Sequence, residues 1–273
     1  MKRHVGGNMN EVYFVTFKET LPGAGGERIP IRAVFKPENT YVGKDKAYFG
    51  REVSAYEFDR DFAKTGRVPP TVEGIFARAQ SPGDVKAFGA GSLQYMIPNA
   101  EALGTDAIHL NPKFKPFLES AEGKRQMGEI KTLLYTLNDP DKLPNPGGFK
   151  TPNYGNIMAQ ADPANPGRYK LFMIDNGGGQ GALGKQLTTD ILPAERSHVA
   201  DTLAGADPAE IERKLAPLVG DDAAADVAAR TTRVRKPRRR RAGPPRRRRP
   251  RLARATDARP RRSPLSGAPR DAA

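Results

Sequence analysis

The sequence has no cysteine and no tryptophan, and its 273 residues include three histidines. Without cysteine there are no disulfides, no thiolate nucleophile and no thiolate-bound zinc. His4, His109 and His198 stand far apart, without metal-ligand spacing, and are expected on surfaces or at a frayed terminus. No apolar run approaches the roughly 18 residues that a membrane span needs, and no signal-peptide core follows Met1. A soluble, cytoplasmic protein without a transmembrane segment is the expectation. Nothing in the pattern speaks to oligomeric state.

Charge is present in quantity but unevenly placed. From Arg230 onward there are 18 Lys and Arg against two acids, whereas residues 1–229 carry a net charge of −2. The basic character therefore belongs to the C-terminal segment, and the rest creates no long-range field for phosphates. Residues 230–273 contain almost no apolar side chains, so ordering them would not be offset by burial, and a disordered Arg/Pro-rich tail is expected. Its runs Arg238 to Arg241 and Arg246 to Arg249 suit non-specific contact with nucleic acid or anionic surfaces. No interleaved aromatics support base-specific reading. A solubilising role, or a shifted reading frame in GC-rich coding DNA, accounts equally well for the same composition.

Before that tail the pattern is α+β. "EVYFVTF" alternates, "LPGAGGE" turns, and "IPIRAVFKP" resumes a strand pattern. "YFGREVSAYEFDRDFA" reads as a helix with Val53, Tyr56 and Phe62 on one face. The prolines of "GRVPPTVEGIFARA" stop the helix, and a β-type run follows them. Leu93 to Ile97 reads as a buried strand ended by Pro98. A helix from Ser120 places Met127, Ile130, Leu134 and Leu137 at three- and four-residue spacing. "YGNIMAQ" and "YKLFMIDNGGG" read as a hairpin, and residues 187–229 as helices. Met96, Met127, Met158 and Met173 read as core fillers. The order implies two lobes: residues 1–98, β-rich with one helix, and residues 99–229, mainly helical with the hairpin.

Four short motifs, "AVFKP", "REVSAYEFDR" with "GRVPPTV", "NYGNIMA" and "LFMIDNGGG", resemble those of the atypical protein-kinase-like superfamily. That superfamily includes the phosphatidylinositol 3- and 4-kinases, the HipA-like kinases and the secretory-pathway kinases. The resemblance covers roughly residues 5–200 in element order and implies a two-lobed kinase-like fold using ATP and Mg²⁺. It implies Lys36 on the α- and β-phosphates with Glu52 as its helix-borne partner, and Asn156 and Asp175 as metal ligands. It implies a glycine-rich cover from Gly6, Gly7 and Asn8, and an inter-lobe linker around Gln94 and Met96 that meets adenine. "NDPDK" resembles the relatives' Asn-x-Asp-Arg segment, which makes Asp141, or else Asp139, the expected catalytic base. Here the pattern departs from the family, because a Pro- and Gly-rich insertion separates Asp141 from Asn156. The expected activity is phosphoryl transfer to an unidentified hydroxyl of a protein, lipid or small molecule. The alternative is a nucleotide-binding pseudokinase or scaffold that does not transfer phosphate, its basic tail contacting acidic partners.

Overall fold

A computed structural model describes residues 2–4, 12–23, 26–38, 48–81, 84–105, 109–142, 153–179, 187–192 and 198–235. The expected α+β class is observed. Five strands form one antiparallel sheet: β1 (Lys2–His4), β2 (Val12–Pro22), β3 (Arg28–Pro37), β4 (Thr71–Ser81) and β5 (Asp84–Tyr95), in the order β1-β2-β3-β5-β4. The helix α1 (Tyr48–Phe58) lies between β3 and β4 in sequence. A second sheet, β6-β7-β8, is made by β6 (Ala100–Ala102) and the hairpin β7 (Ile157–Ala161) and β8 (Tyr169–Met173). The helices α2 (Lys115–Glu119), α3 (Ala121–Thr136), α4 (His198–Ala204), α5 (Pro208–Val219) and α6 (Asp221–Arg235) complete the described fold.

Local chemistry accounts for the boundaries. The Ser120 hydroxyl caps α3 by accepting from the Gly123 N–H at 3.1 Å. Asp207 caps α5 in the same way through the Ala209 N–H, and Pro208 takes the first helical position, where its missing donor costs nothing. α1 ends in a π-helical turn, Asp59–Ala63, closed by Lys64 in a left-handed conformation. The Asp59 carboxylate is buried there and accepts from the backbone N–H groups of Thr65, Arg67 and Val68 and from the Thr65 hydroxyl. That one side chain fixes the turn into the Pro69-Pro70 segment and β4.

The interior does not divide cleanly at residue 98. Phe58 and Phe62 of the α1 segment lie in one apolar cluster with Leu133 and Leu134 of α3, Ile211 and Leu215 of α5, and Val227 of α6. Residues Met1–Pro237 form one compact unit, and the expected lobe boundary is a connecting segment inside it. The second unit, Arg238–Ala273, lies outside the described residues.

Three expectations need correction. The fold does not stop at Arg230. α6 continues to Arg235 because Val227, Thr231 and Val234 maintain a buried stripe, and Arg230 is itself buried, with its guanidinium donating to the Leu187 carbonyl at 2.9 Å. The strand expected to run to Ile97 ends at Tyr95, and Leu93 is half-buried rather than buried. Met96 is 40% exposed and fills no core, whereas Met173 is fully buried. His109 and His198 are exposed, as expected. No helix among the described residues is long and apolar enough to cross a membrane.

Candidate functional site

Lys36 is the penultimate residue of β3, opposite Ser92 of β5. Close packing holds this strand end: a Cβ at Gly91 would stand 2.3 Å from the Lys36 carbonyl oxygen and 2.7 Å from the Phe35 ring, so only glycine fits. Glu52 enters from α1, whose first turn is pinned by another close approach. A Cβ at Gly50 would stand 1.9 Å from the Leu218 carbonyl oxygen of α5. The helix carrying Glu52 is thus seated directly on the backbone of a C-terminal helix.

The Lys36 ammonium bridges two carboxylates, Glu52 Oε1 at 2.6 Å and Asp175 Oδ1 at 2.6 Å. Glu52 Oε2 accepts the Asn176 N–H at 2.8 Å, so the α1 carboxylate also grips the backbone immediately after Asp175. Asp175 follows the end of β8 and has φ 55° and ψ 58°, the left-handed region that a non-glycine residue adopts at a cost. Its side chain stays 39% exposed, while Glu52 is 1% exposed. The neighbouring Asn176 amide is buried, and its side-chain oxygen and nitrogen have no hydrogen-bond partner among the described residues.

Beyond the β7–β8 ladder, the Ile174 N–H donates to the Asn156 carbonyl at 3.0 Å and sets Asn156 beside Asp175. The Asn156 amide lies 3.4 Å from Asp175 Oδ2 and donates to Asp141 Oδ2 at 2.7 Å. Asn153 Nδ2 reaches the same Asp141 oxygen at 3.1 Å. Asn153 and Asn156 flank a 3₁₀ turn, in which side chains three residues apart point the same way. The two ends of the insertion thus meet across Asp141, while the expected loop between them, residues 143–152, lies outside the described residues.

The site brings together Lys36, Glu52, Asn156, Asp175 and Asp141. It does not bring in Asp139, which is 1% exposed. The Asp139 carboxylate accepts from Lys142 Nζ at 2.5 Å and from the Asp141 N–H at 3.1 Å, so no acceptor hydroxyl can approach it. Gln94 is likewise committed elsewhere: its side chain is buried and donates to the Thr71 hydroxyl at 3.0 Å, tying β4 to β5. The Met96 N–H donates to the Arg32 carbonyl at 2.9 Å and is not presented to a base. Gly6, Gly7 and Asn8 lie outside the described residues. Sequence reasoning missed Lys142, whose ammonium also donates to the Asp175 carbonyl at 3.0 Å. Its position immediately after Asp141 in "NDPDK" was the available signal, and for Asn153 the signal was the Asn-x-x-Asn spacing with Asn156.

Burial dominates the electrostatics. It pulls Lys36 down, but Asp175 and Glu52 more than offset it and hold the ammonium well above its usual range. Burial raises Glu52 despite its ion pair. Asp141 is also raised, first by burial, with Asp139 and Asp175 adding to the shift while Lys142 and the Asn156 hydrogen bond oppose it. Four carboxylates, Glu52, Asp139, Asp141 and Asp175, face two ammonium groups, Lys36 and Lys142, a formal excess of two negative charges. That excess and the oxygen donors of Asp175, Asn156 and Asp141 fit a hard divalent cation. No cluster of three or more His, Cys, Asp or Glu side chains is preformed for a metal among the described residues. Mg²⁺ ordinarily takes one or two carboxylates and completes its shell with water and substrate phosphate. No protein-family model matches the chain, and neither does any curated protein.

Proposed function

We propose that this chain is an ATP- and Mg²⁺-dependent phosphotransferase with a kinase-like, two-lobed arrangement, acting in the cytoplasm on a hydroxyl acceptor. The observation that carries the reading is Lys36 held between Glu52 and Asp175, with Asn156 and Asp141 adjoining. Lys36 supplies the fixed cation for the α- and β-phosphates, and Glu52 keeps it from wandering. Asp175 and Asn156 hold Mg²⁺, which when bound neutralises phosphate charge and aligns the transferring group. Asp141 accepts the acceptor's hydroxyl proton. Burial, with Asp139 and Asp175 adding to it, raises its pKa and so makes it a stronger base than an exposed carboxylate. The left-handed backbone at Asp175 is the kind of local strain that collects at functional sites and aims a side chain.

A second reading, nucleotide binding without transfer, draws on Asp141 Oδ2, which already accepts from two asparagine amides. Consumption of Mg·ATP, with water as the default acceptor, separates the two. In Asp141→Asn the side-chain oxygen can still accept from Asn153 and Asn156, so ATP binding is expected to persist while turnover falls at least about 100-fold. Equal turnover by the variant would remove Asp141 as the base, and absence of turnover in the parent protein would favour the non-transferring reading. Stability gives an independent check. A carboxyl with a raised folded pKa contributes stability that is present below about pH 3.9 and lost as pH rises through the folded value. Asp141→Asn is therefore expected to be as stable as the parent at pH 7, or more so.

A further inference from the structure

The hairpin that carries Asn156 and Asp175 has a far end, roughly 15 Å away by strand rise. A cavity of about 510 Å³ opens there between α3, Arg67 and the turn joining β7 to β8. Arg67, Arg125, Arg168 and Lys170 bring four cations to its walls, against the carboxylates of Glu122 and Asp162.

The pairing within these walls is uneven. Arg67 is buried and firmly held: it donates to Glu129 at 2.8 Å, to Gln126 Oε1 at 2.8 Å and to the Leu171 carbonyl at 3.1 Å. Gln126 accepts from the Leu171 N–H at 2.8 Å and donates to the Tyr169 carbonyl at 2.9 Å, so it caps the edge of β8 as a neighbouring strand would and forms a rigid floor. Arg125 is taken by Glu122 and Glu129. Both oxygens of Glu122 are used by Arg125 and Gln126, and the Arg125 hydrogen bonds hold its pKa down at about 2. Both oxygens of Asp162 are used inside the turn, by the Asn165 amide and the Ala164 N–H.

That leaves two cations. Arg168 and Lys170 are exposed and form no ion pair among the described residues, although the Arg168 charge helps to hold the Asp162 carboxyl down. They flank half-buried Tyr169, the first residue of β8, and both line the cavity. Lys170 Nζ lies 5.0 Å from the Phe172 ring centroid and 3.9 Å from where a Cβ at Gly66 would stand, next to Arg67.

We propose that this cavity binds a small organic dianion, a phosphomonoester or a dicarboxylate, held by Arg168 and Lys170 above the Arg67–Gln126 floor. Both carboxylates in the wall already accept from neighbouring donors, and the two charged side chains without an ion pair are cations. An arginine fork and a lysine point charge lining one cavity suit phosphate or carboxylate oxygens. The volume falls within the few hundred Å³ typical of small-molecule sites.

The Arg-rich tail also attracts anions, so the test needs a site-resolved readout on the full chain. Phenyl phosphate and succinate are titrated separately into ¹⁵N-labelled protein, with phenol as the neutral control. Saturable shifts are expected at the amides of Gln126, Ala161 and Lys170 with at least one dianion, and none with phenol. Arg168→Glu with Lys170→Glu is expected to weaken binding at least tenfold, and the milder Arg168→Gln with Lys170→Gln to weaken it in the same direction while leaving the spectrum otherwise folded. Asp175→Asn is expected to leave these shifts unchanged, which separates this site from the nucleotide site. Shifts confined to the tail, shifts that persist in both double variants, or equal shifts with phenol would overturn the proposal.

Discussion

Two ionic clusters in this protein bury charge to opposite ends. Around Arg67 the cluster is sealed: both Glu129 oxygens are taken by arginines, Arg67 is 6% exposed, and its Nη1 donates to Gln126 and the Leu171 carbonyl. Around Lys36 the cluster is open on one side, because Glu52 is closed in by Lys36 and the Asn176 N–H while Asp175 remains 39% exposed on a strained backbone. The sealed cluster joins the segment before β4 to α3 and β8, and has no capacity left for a ligand. The open cluster has an excess of carboxylates and one that faces outward. Burial alone does not mark a functional site; incomplete closure does.

The contrast is broken most severely by opening the sealed cluster. Arg67→Leu leaves buried Glu129 with Arg125 alone, removes the bonds to Gln126 and the Leu171 carbonyl, and is expected to cost about 3–5 kcal/mol in urea unfolding. Lys36→Met strands buried Glu52 but is expected to cost less, about 2–3 kcal/mol at pH 7, because Glu52 can take up a proton instead. Burial already raises Glu52, and losing Lys36 removes the charge that opposes that rise. A carboxyl raised in the folded state contributes stability that is present below its unfolded pKa of about 4.3 and lost as pH rises through the folded value. Lys36→Met is therefore expected to lie closest to the parent near pH 4 and to fall behind as pH rises. A deficit independent of pH would show that Glu52 does not titrate.

Gly50→Ala tests how the open cluster is held in place. Its Cβ would stand 1.9 Å from the Leu218 carbonyl oxygen, a backbone atom that cannot swing away. A net loss of about 1–2 kcal/mol is expected, overpacking outweighing the better helix propensity of alanine. The same shift of α1 would loosen the Lys36–Glu52 pair, so nucleotide affinity should fall along with thermal stability. Lost stability with unchanged affinity would separate the seat of α1 from the site.

Much of this was legible in the sequence, for identifiable reasons. Prolines 69 and 70, the alternation of β2 and β3, and the Ser120 cap are local signals, and each predicted its element. Lys36 and Glu52 could be paired because "AVFKP" and "REVSAYEFDR" resemble kinase-like motifs in which a helix carboxylate holds the strand-end lysine. What stayed hidden depends on orientation. Asp139 and Asp141 are two residues apart, yet one turns inward onto Lys142 and the other toward Asn153 and Asn156. Gln94 and Met96 lie in the expected linker, but the sheet uses the Gln94 amide and the Met96 N–H. The extension of α6 was masked by composition: the arginines at 230, 233 and 235 look like the start of the tail, although Val227, Thr231 and Val234 continue the helical stripe.

Mg²⁺-dependent ATP binding, measured by titration calorimetry on the parent chain and on Asp175→Gly, tests the central claim most directly. Glycine relieves the left-handed backbone at φ 55° while removing the carboxylate, and Lys36 keeps Glu52 as its partner, so the variant should remain folded. Mg²⁺ is expected to tighten ATP binding to the parent at least tenfold and to have little effect on Asp175→Gly. Absence of ATP binding to the parent, or the same Mg²⁺ dependence in both proteins, would contradict that claim.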